Sequence, residues 1–309
     1  MKKICLKIDV DTHDGMKNGV PALLEDLEHF GVKATFCLSF GPDNAGKAIF
    51  RLFKDVGFLK KMLFTGAPKL YGLRTVLSGT LLPARPIASA FPELCTAIVS
   101  GGHEAIVHAW DHRKWQDHVH EMEPTGIMDE FERSFQAFER VFLKRPKAVA
   151  APGWQASFSS LLVEDELDLL YASDLRGDFP CFIEAGERIF STLQIPTVGP
   201  CIEELLAVGI RDEEEMSKRL LEPLKRAQYP VLAVHAEVEG GIYRPFFRRF
   251  MSVLQKEFQG FVTMEEIASK ILERPDNIPL LRLVHIKLPG RGGTVSSAAS
   301  ISETVDFGP

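Results

Sequence analysis

Short apolar runs alternate with amphipathic helical patterns along most of this chain, and that alternation limits the fold more than any other feature. Residues 4–10 read as a buried strand; Val20, Leu23, Leu24 and Leu27 follow at helical spacing, with Gly31 as a C-terminal stop. Residues 33–40 and 105–107 are the next strands. A helix with Ile127, Met128, Phe131, Phe135, Phe138 and Phe142 on one face follows, ended by Arg145-Pro146. Further strands are expected at 148–151, 169–172 and 231–234, and helices at 157–167, 213–227, 245–258 and 264–272. Crossover helices join parallel strands, so the expected fold is α/β with a parallel sheet curled into a barrel.

Two regions break the rhythm. Residues 41–92 form a long insertion that is basic and apolar together: between Lys47 and Arg85 there are eight basic residues against the single acid Asp55. Within it, Phe50, Phe53, Phe58, Leu59 and Phe64 alternate with Arg51, Lys54, Lys60 and Lys61, in the manner of a segment lying on an anionic membrane surface. The competing reading is a helical hairpin packed on the barrel with its basic residues in water. The Gly-, Ser- and Thr-rich stretch 288–309 reads as a disordered tail, which leaves 1–287 as the folded unit.

Composition excludes several classes. No run approaches the roughly 18 apolar residues of a spanning helix, and the strand at 4–10 leaves no room for a signal peptide, which points to the cytoplasm. Five scattered cysteines without a CxxC fit reduced thiols. A net charge of −6 argues against a nucleic-acid partner.

The functional groups of a parallel barrel gather where strands end. Asp9 and Asp11 close the first strand, His108 closes 105–107, Pro152-Gly153-Trp154 follows 148–151, Asp174 follows 169–173, and His235 closes 231–234. His108 and His112 are four apart, so on a helical turn both imidazoles face one way and grip one divalent ion. A carboxylate from another strand completes a three-ligand set with positions left for water. Such donors accept zinc first, with cobalt, nickel or manganese as alternatives. The blander reading is two surface histidines on one helix. Asp-Val-Asp at the end of an apolar run is the more specific signal, because a charge there needs a partner or an ion. Glu237 and Glu239 flank His235 on alternate positions, to orient the imidazole or bind ligand hydroxyls. Trp110, Trp115 and Trp154 are either pocket walls that stack on a sugar or ordinary core.

In order and spacing these motifs resemble the carbohydrate esterases that include the NodB-type polysaccharide deacetylases. The likeness covers residues 1–275 apart from the insertion. It implies the distorted (β/α) barrel of that family and a metal-dependent amide hydrolase, with Asp9 as catalytic base, Asp11, His108 and His112 as metal ligands, and His235 as general acid. Asp174 and Arg176 are added to the catalytic set, and Trp154, Glu237 and Glu239 to the substrate contacts. The phrases Ile8-Asp9-Val10-Asp11-Thr12, Gly41-Pro42-Asp43-Asn44, His108-Ala109-Trp110-Asp111-His112 and His235-Ala236-Glu237-Val238-Glu239-Gly240 are similar to one branch. That branch removes formate from a 4-deoxy-4-formamido-arabinose carried on a polyprenyl phosphate, at the cytoplasmic face of the inner membrane, in lipid A modification and polymyxin resistance. Many family members have an arginine two residues before the proline, as partner of the base; this chain has Ala150, and Arg176 is the expected substitute. The alternatives are a deacetylase of a soluble amino sugar and a metal-bearing carbohydrate or lipid-phosphate binding protein without turnover.

Overall fold

The computed structural model describes residues 2–47 and 73–300. The aromatic residues from Phe50 to Phe64, on which the membrane reading of the insertion rests, lie outside the described residues. The two described arms of the insertion meet: the Asp43 amide donates to the Arg85 carbonyl at 2.8 Å, and Pro42 and Pro86 form an antiparallel bridge.

The sheet begins with β1 (Lys3–Val10), β2 (Thr35–Leu38), β3 (Glu104–Val107), β4 (Ala148–Val149) and β5 (Tyr171–Ala172). It continues with β6 (Cys181–Ala185), β7 (Arg188–Gln194), β8 (Val231–His235), β9 (Gly260–Phe261), β10 (Leu280–Ile286) and β11 (Val295–Ser300). Their order is β11-β10-β6-β7-β5-β4-β3-β2-β1-β8, with β9 paired to β1. The path from β5 to β8 through β1 is parallel, as the alternation predicts, but β6 with β7 and β10 with β11 are antiparallel, so the sheet is mixed.

The expected barrel does not close: among the described residues β8 and β11 are the two ends of the hydrogen-bonded path. Those ends curl toward one another without pairing. Ala233 of β8 and Val295 of β11 share a small cluster with Trp154 and Cys201, so a tryptophan fills the seam that a closed barrel would bridge with hydrogen bonds. Of the expected tail at 288–309, the described part, 288–300, contains a strand, and 301–309 lies outside the described residues. Val295–Ser300 pairs with β10 along six residues, and Val295 and Ser296 are buried.

Alternation along β1 sorts its side chains by function. Ile4, Leu6, Ile8 and Val10 belong to the large core beneath the outer helices, where Leu23 and Leu27 of α1 (Val20–Phe30) also lie. Cys5 belongs to the inner cluster with Cys37, Ile106, Ala148, Ala150 and Tyr171. Period two then puts Lys7 and Asp9 on that same inner face. At the bottom of the inner face Glu104 accepts from Thr35 and from the Tyr171 hydroxyl, both at 2.7 Å. At the top it carries Asp9, His108 and His235.

Candidate active site

Asp9 and His235 are register partners on the adjacent parallel strands β1 and β8. Both side chains therefore leave the sheet side by side. Asp9 is buried, and the Lys7 ammonium donates to its two oxygens at 2.6 Å each. Burial pushes the Asp9 carboxyl up, but the Lys7 ammonium, with the charge of His235 behind it, outweighs burial and holds it below the usual carboxylate range. His235 sits 3.0 Å through Nδ1 from a carboxylate oxygen of Glu203. Burial opposes charge on this imidazole, yet Glu203 overrides it and raises the pKa well above the ordinary histidine value. The acid and the base are thus each accompanied by an opposite charge.

Lys7 and Glu203 were not among the sequence candidates. Lys7 had a readable signal, since a lysine inside an apolar strand two residues from an acid shares that acid's face. Glu203 had none, because 32 positions separate it from His235.

Asp11, His108 and His112 converge. Their donor atoms all lie within 4.8 Å of one another, with Asp11 3.3 Å from His108 Nε2 and 3.1 Å from His112 Nε2. They do not converge by sharing one helical face. His108 follows the last residue of β3, its amide bonded to the Leu38 carbonyl at 2.9 Å, whereas His112 is the first residue of α2 (His112–His118). Between them Ala109 adopts φ 77°, a left-handed conformation costly for any residue with a Cβ. Asp111 caps the helix by accepting from the amides of Arg113 and Lys114, and is itself held by Asn44 at 2.6 Å. Gly41 lies so close to the Trp110 carbonyl that a Cβ would approach it to 2.4 Å. The conspicuous Gly41-Pro42-Asp43-Asn44 phrase thereby braces the histidine loop.

His108 Nδ1 lies 2.8 Å from the Ala150 carbonyl. A carbonyl only accepts, so Nδ1 carries the proton and Nε2 presents its lone pair to Asp11 and His112. One Asp11 oxygen is buried with no hydrogen-bond partner. An orphaned carboxylate oxygen beside an aligned imidazole lone pair fits a divalent cation, and the three donors leave coordination positions free.

Other expected residues have different work. Arg176 does not replace the missing arginine: its guanidinium pairs with Glu204 at 2.9 Å, donates to the Gly199 carbonyl, and covers the Trp154 ring. Trp154 is only 2% exposed, with Arg291 also over its ring, its Nε1 bonded to Thr197 and its edge toward His235. It is a wall, with no face open for stacking on a sugar. Trp115 is likewise core, bonded to the Gln155 carbonyl. Asp174 is buried against Gln194 and Glu164. Glu239 is 2% exposed and accepts the His235 amide at 2.8 Å, so it anchors the end of β8 rather than meeting a ligand. Glu237 stays at the mouth, half-buried, one oxygen lacking a hydrogen-bond partner. Burial, then the nearby Asp11 charge, raise its pKa well above the usual carboxylate range.

Residues 2–172 match the polysaccharide deacetylase family model. The chain is 32% identical over 300 residues to a Shewanella sediminis protein that carries the name 4-deoxy-4-formamido-L-arabinose-phosphoundecaprenol deformylase ArnD, covering 97% of this chain and 95% of that protein. A Wigglesworthia glossinidia brevipalpis protein of the same name is 30% identical, covering 91% and 97%. Among solved structures, one named a polysaccharide deacetylase from Mycobacterium smegmatis superposes with a TM-score of 0.61 at 17% identity, covering 93% of this chain and 96% of the other.

Proposed function

The chain belongs to the polysaccharide deacetylase family, hydrolases of amide C–N bonds, and from that premise we propose that it deformylates a 4-deoxy-4-formamido-arabinose carried on a polyprenyl phosphate. Formate and the free amino sugar are the products, in the modification of lipid A. The observation that carries this reading is the register pairing of Asp9 with His235 beside the Asp11, His108 and His112 cluster. A base, an acid and a three-donor metal site then share one mouth.

Asp11, His108 and His112 would hold the divalent ion, zinc being the first choice. When bound, the ion acidifies a water and polarises the formyl carbonyl. Asp9, kept ionised by Lys7, accepts the proton of the attacking water. His235, charged beside Glu203, keeps Nδ1 toward that carboxylate and delivers a proton from Nε2 to the departing nitrogen, which is otherwise a poor leaving group. Glu237 meets a sugar hydroxyl, and Trp154 walls the site behind His235.

No described helix is long and apolar enough to cross a membrane. A polyprenyl tail costs about 0.8 kcal/mol per CH₂ to take from the bilayer, so on this reading the enzyme works peripherally at the anionic cytoplasmic face, through the basic insertion. The test is formate release from the lipid-linked formamido sugar by the metal-loaded protein, run beside acetate release from soluble N-acetyl amino sugars. Formate release should exceed acetate release by about a hundredfold or more. Faster acetate release would assign a soluble deacetylase, and release of neither acid would assign a binding protein.

A further inference from the structure

Lys7 has no side-chain exposure at all, in a strand whose every residue from Ile4 to Val10 is buried. A lysine in that place costs several kcal/mol of desolvation unless it is paired. It is paired: the ammonium donates to both oxygens of Asp9 at 2.6 Å and lies 5.7 Å from the centre of the Trp154 ring. Neither arginine position offers an alternative partner: Arg176 is committed to Glu204, and position 150 is a buried alanine of the inner cluster. The ammonium reaches Asp9 along the same strand, two residues away. Its place is therefore set by the β1 backbone, which is hydrogen-bonded on both sides to β2 and β8.

We propose that Lys7 is the positioning residue for the catalytic base: it fixes the Asp9 carboxylate beside His235, the task that an arginine at position 150 would otherwise perform from β4. The proposal rests on the reading of Asp9 as base. Lys7 touches no substrate atom; by gripping both oxygens it takes away the carboxylate's rotation.

The experiment is a double-mutant cycle with Lys7→Met, close in volume to lysine and uncharged, and Asp9→Asn, on the metal-loaded protein. Lys7→Met should lower kcat about a hundredfold with KM within about threefold and metal content unchanged. In the Asp9→Asn background the same substitution should change kcat less than about threefold, because the group it positions is gone. A second readout needs no turnover. In the metal-free protein each single variant strands a buried charge and should lower the melting temperature, and the double variant should melt above the lower of the two. Should Lys7→Met fail to fold, comparing Asp9→Asn with the double variant carries the same test. Equal losses from Lys7→Met in both backgrounds, or a single variant of near-normal kcat, would overturn the proposal. A native protein that releases no formate would instead count against the deformylase reading, and the melting cycle would still decide whether Lys7 and Asp9 are coupled.

Discussion

Asp9 and Asp174 are both buried carboxylates near the C-terminal ends of parallel strands of one sheet, yet their surroundings give them opposite chemistry. Burial alone pushes both upward. At Asp9 the Lys7 ammonium more than offsets it. Asp174 has the amide of Gln194 at 3.0 Å and a second carboxyl, Glu164, which burial and then the charge of Asp174 raise well above the usual range. Two carboxyls in one dry place favour a shared proton, which would make Asp174 an anchor rather than a proton acceptor. A strand-end acid is thus only a candidate; the sign of its nearest buried neighbour decides what it does.

The sharpest way to break this comparison is to neutralise each acid. Asp9→Asn should lower kcat for formate release at least about a hundredfold, while Asp174→Asn should stay within about threefold. An Asp174→Asn variant as impaired as Asp9→Asn would end the distinction. His235→Ala should cost about tenfold to a hundredfold on the formamide and clearly less on an activated ester, read from the ratio of the two rates, because a good leaving group needs no proton. Equal losses would remove His235 as the acid. Arg176→Ala should lose less than about tenfold in kcat but about 3 kcal/mol in urea unfolding, since it breaks the buried pair with Glu204. A large kcat loss at unchanged stability would return Arg176 to the chemistry.

The smallest effect concerns Glu164. An acid with a higher pKa folded than unfolded holds its proton more tightly in the folded chain. The stability it contributes is therefore fullest below the unfolded value, near 4.5 for a glutamate, and is lost as pH rises toward the folded one. Glu164→Gln should then lose less thermal stability than the parent between pH 5 and pH 8, as read by melting temperature. An unchanged slope would mean the pair does not share a proton.

Much of the parallel core was legible because period two and period 3.6 leave clear marks in residues such as Ile4, Leu6, Ile8 and Val10, or Phe131, Phe135 and Phe138. The β6–β7 hairpin was not, since Glu184, Glu187 and Arg188 hide its apolar alternation and its turn depends on Gly186 at φ 60°. The strand at 295–300 was missed for a related reason: Ser296, Ser297, Ala298 and Ala299 pair through backbone and bury little side chain. At the site, strand-end residues could be named from sequence, but partnerships could not. The sequence offers Arg176 as the substitute for the arginine missing at position 150, whereas its guanidinium is fixed by Glu204 and Trp154, which only the folded loops bring to it. The His108–His112 spacing suggested a helix; the joint is a strand end, a left-handed alanine and a capped first turn.

The division of labour within Asp9-Val10-Asp11 is tested most directly by measuring bound metal and formate release together in Asp9→Asn and Asp11→Asn. Asp9→Asn should keep about one metal per chain while its rate collapses, and Asp11→Asn should lose the metal and the activity together. Loss of metal from Asp9→Asn with retention in Asp11→Asn would contradict the account.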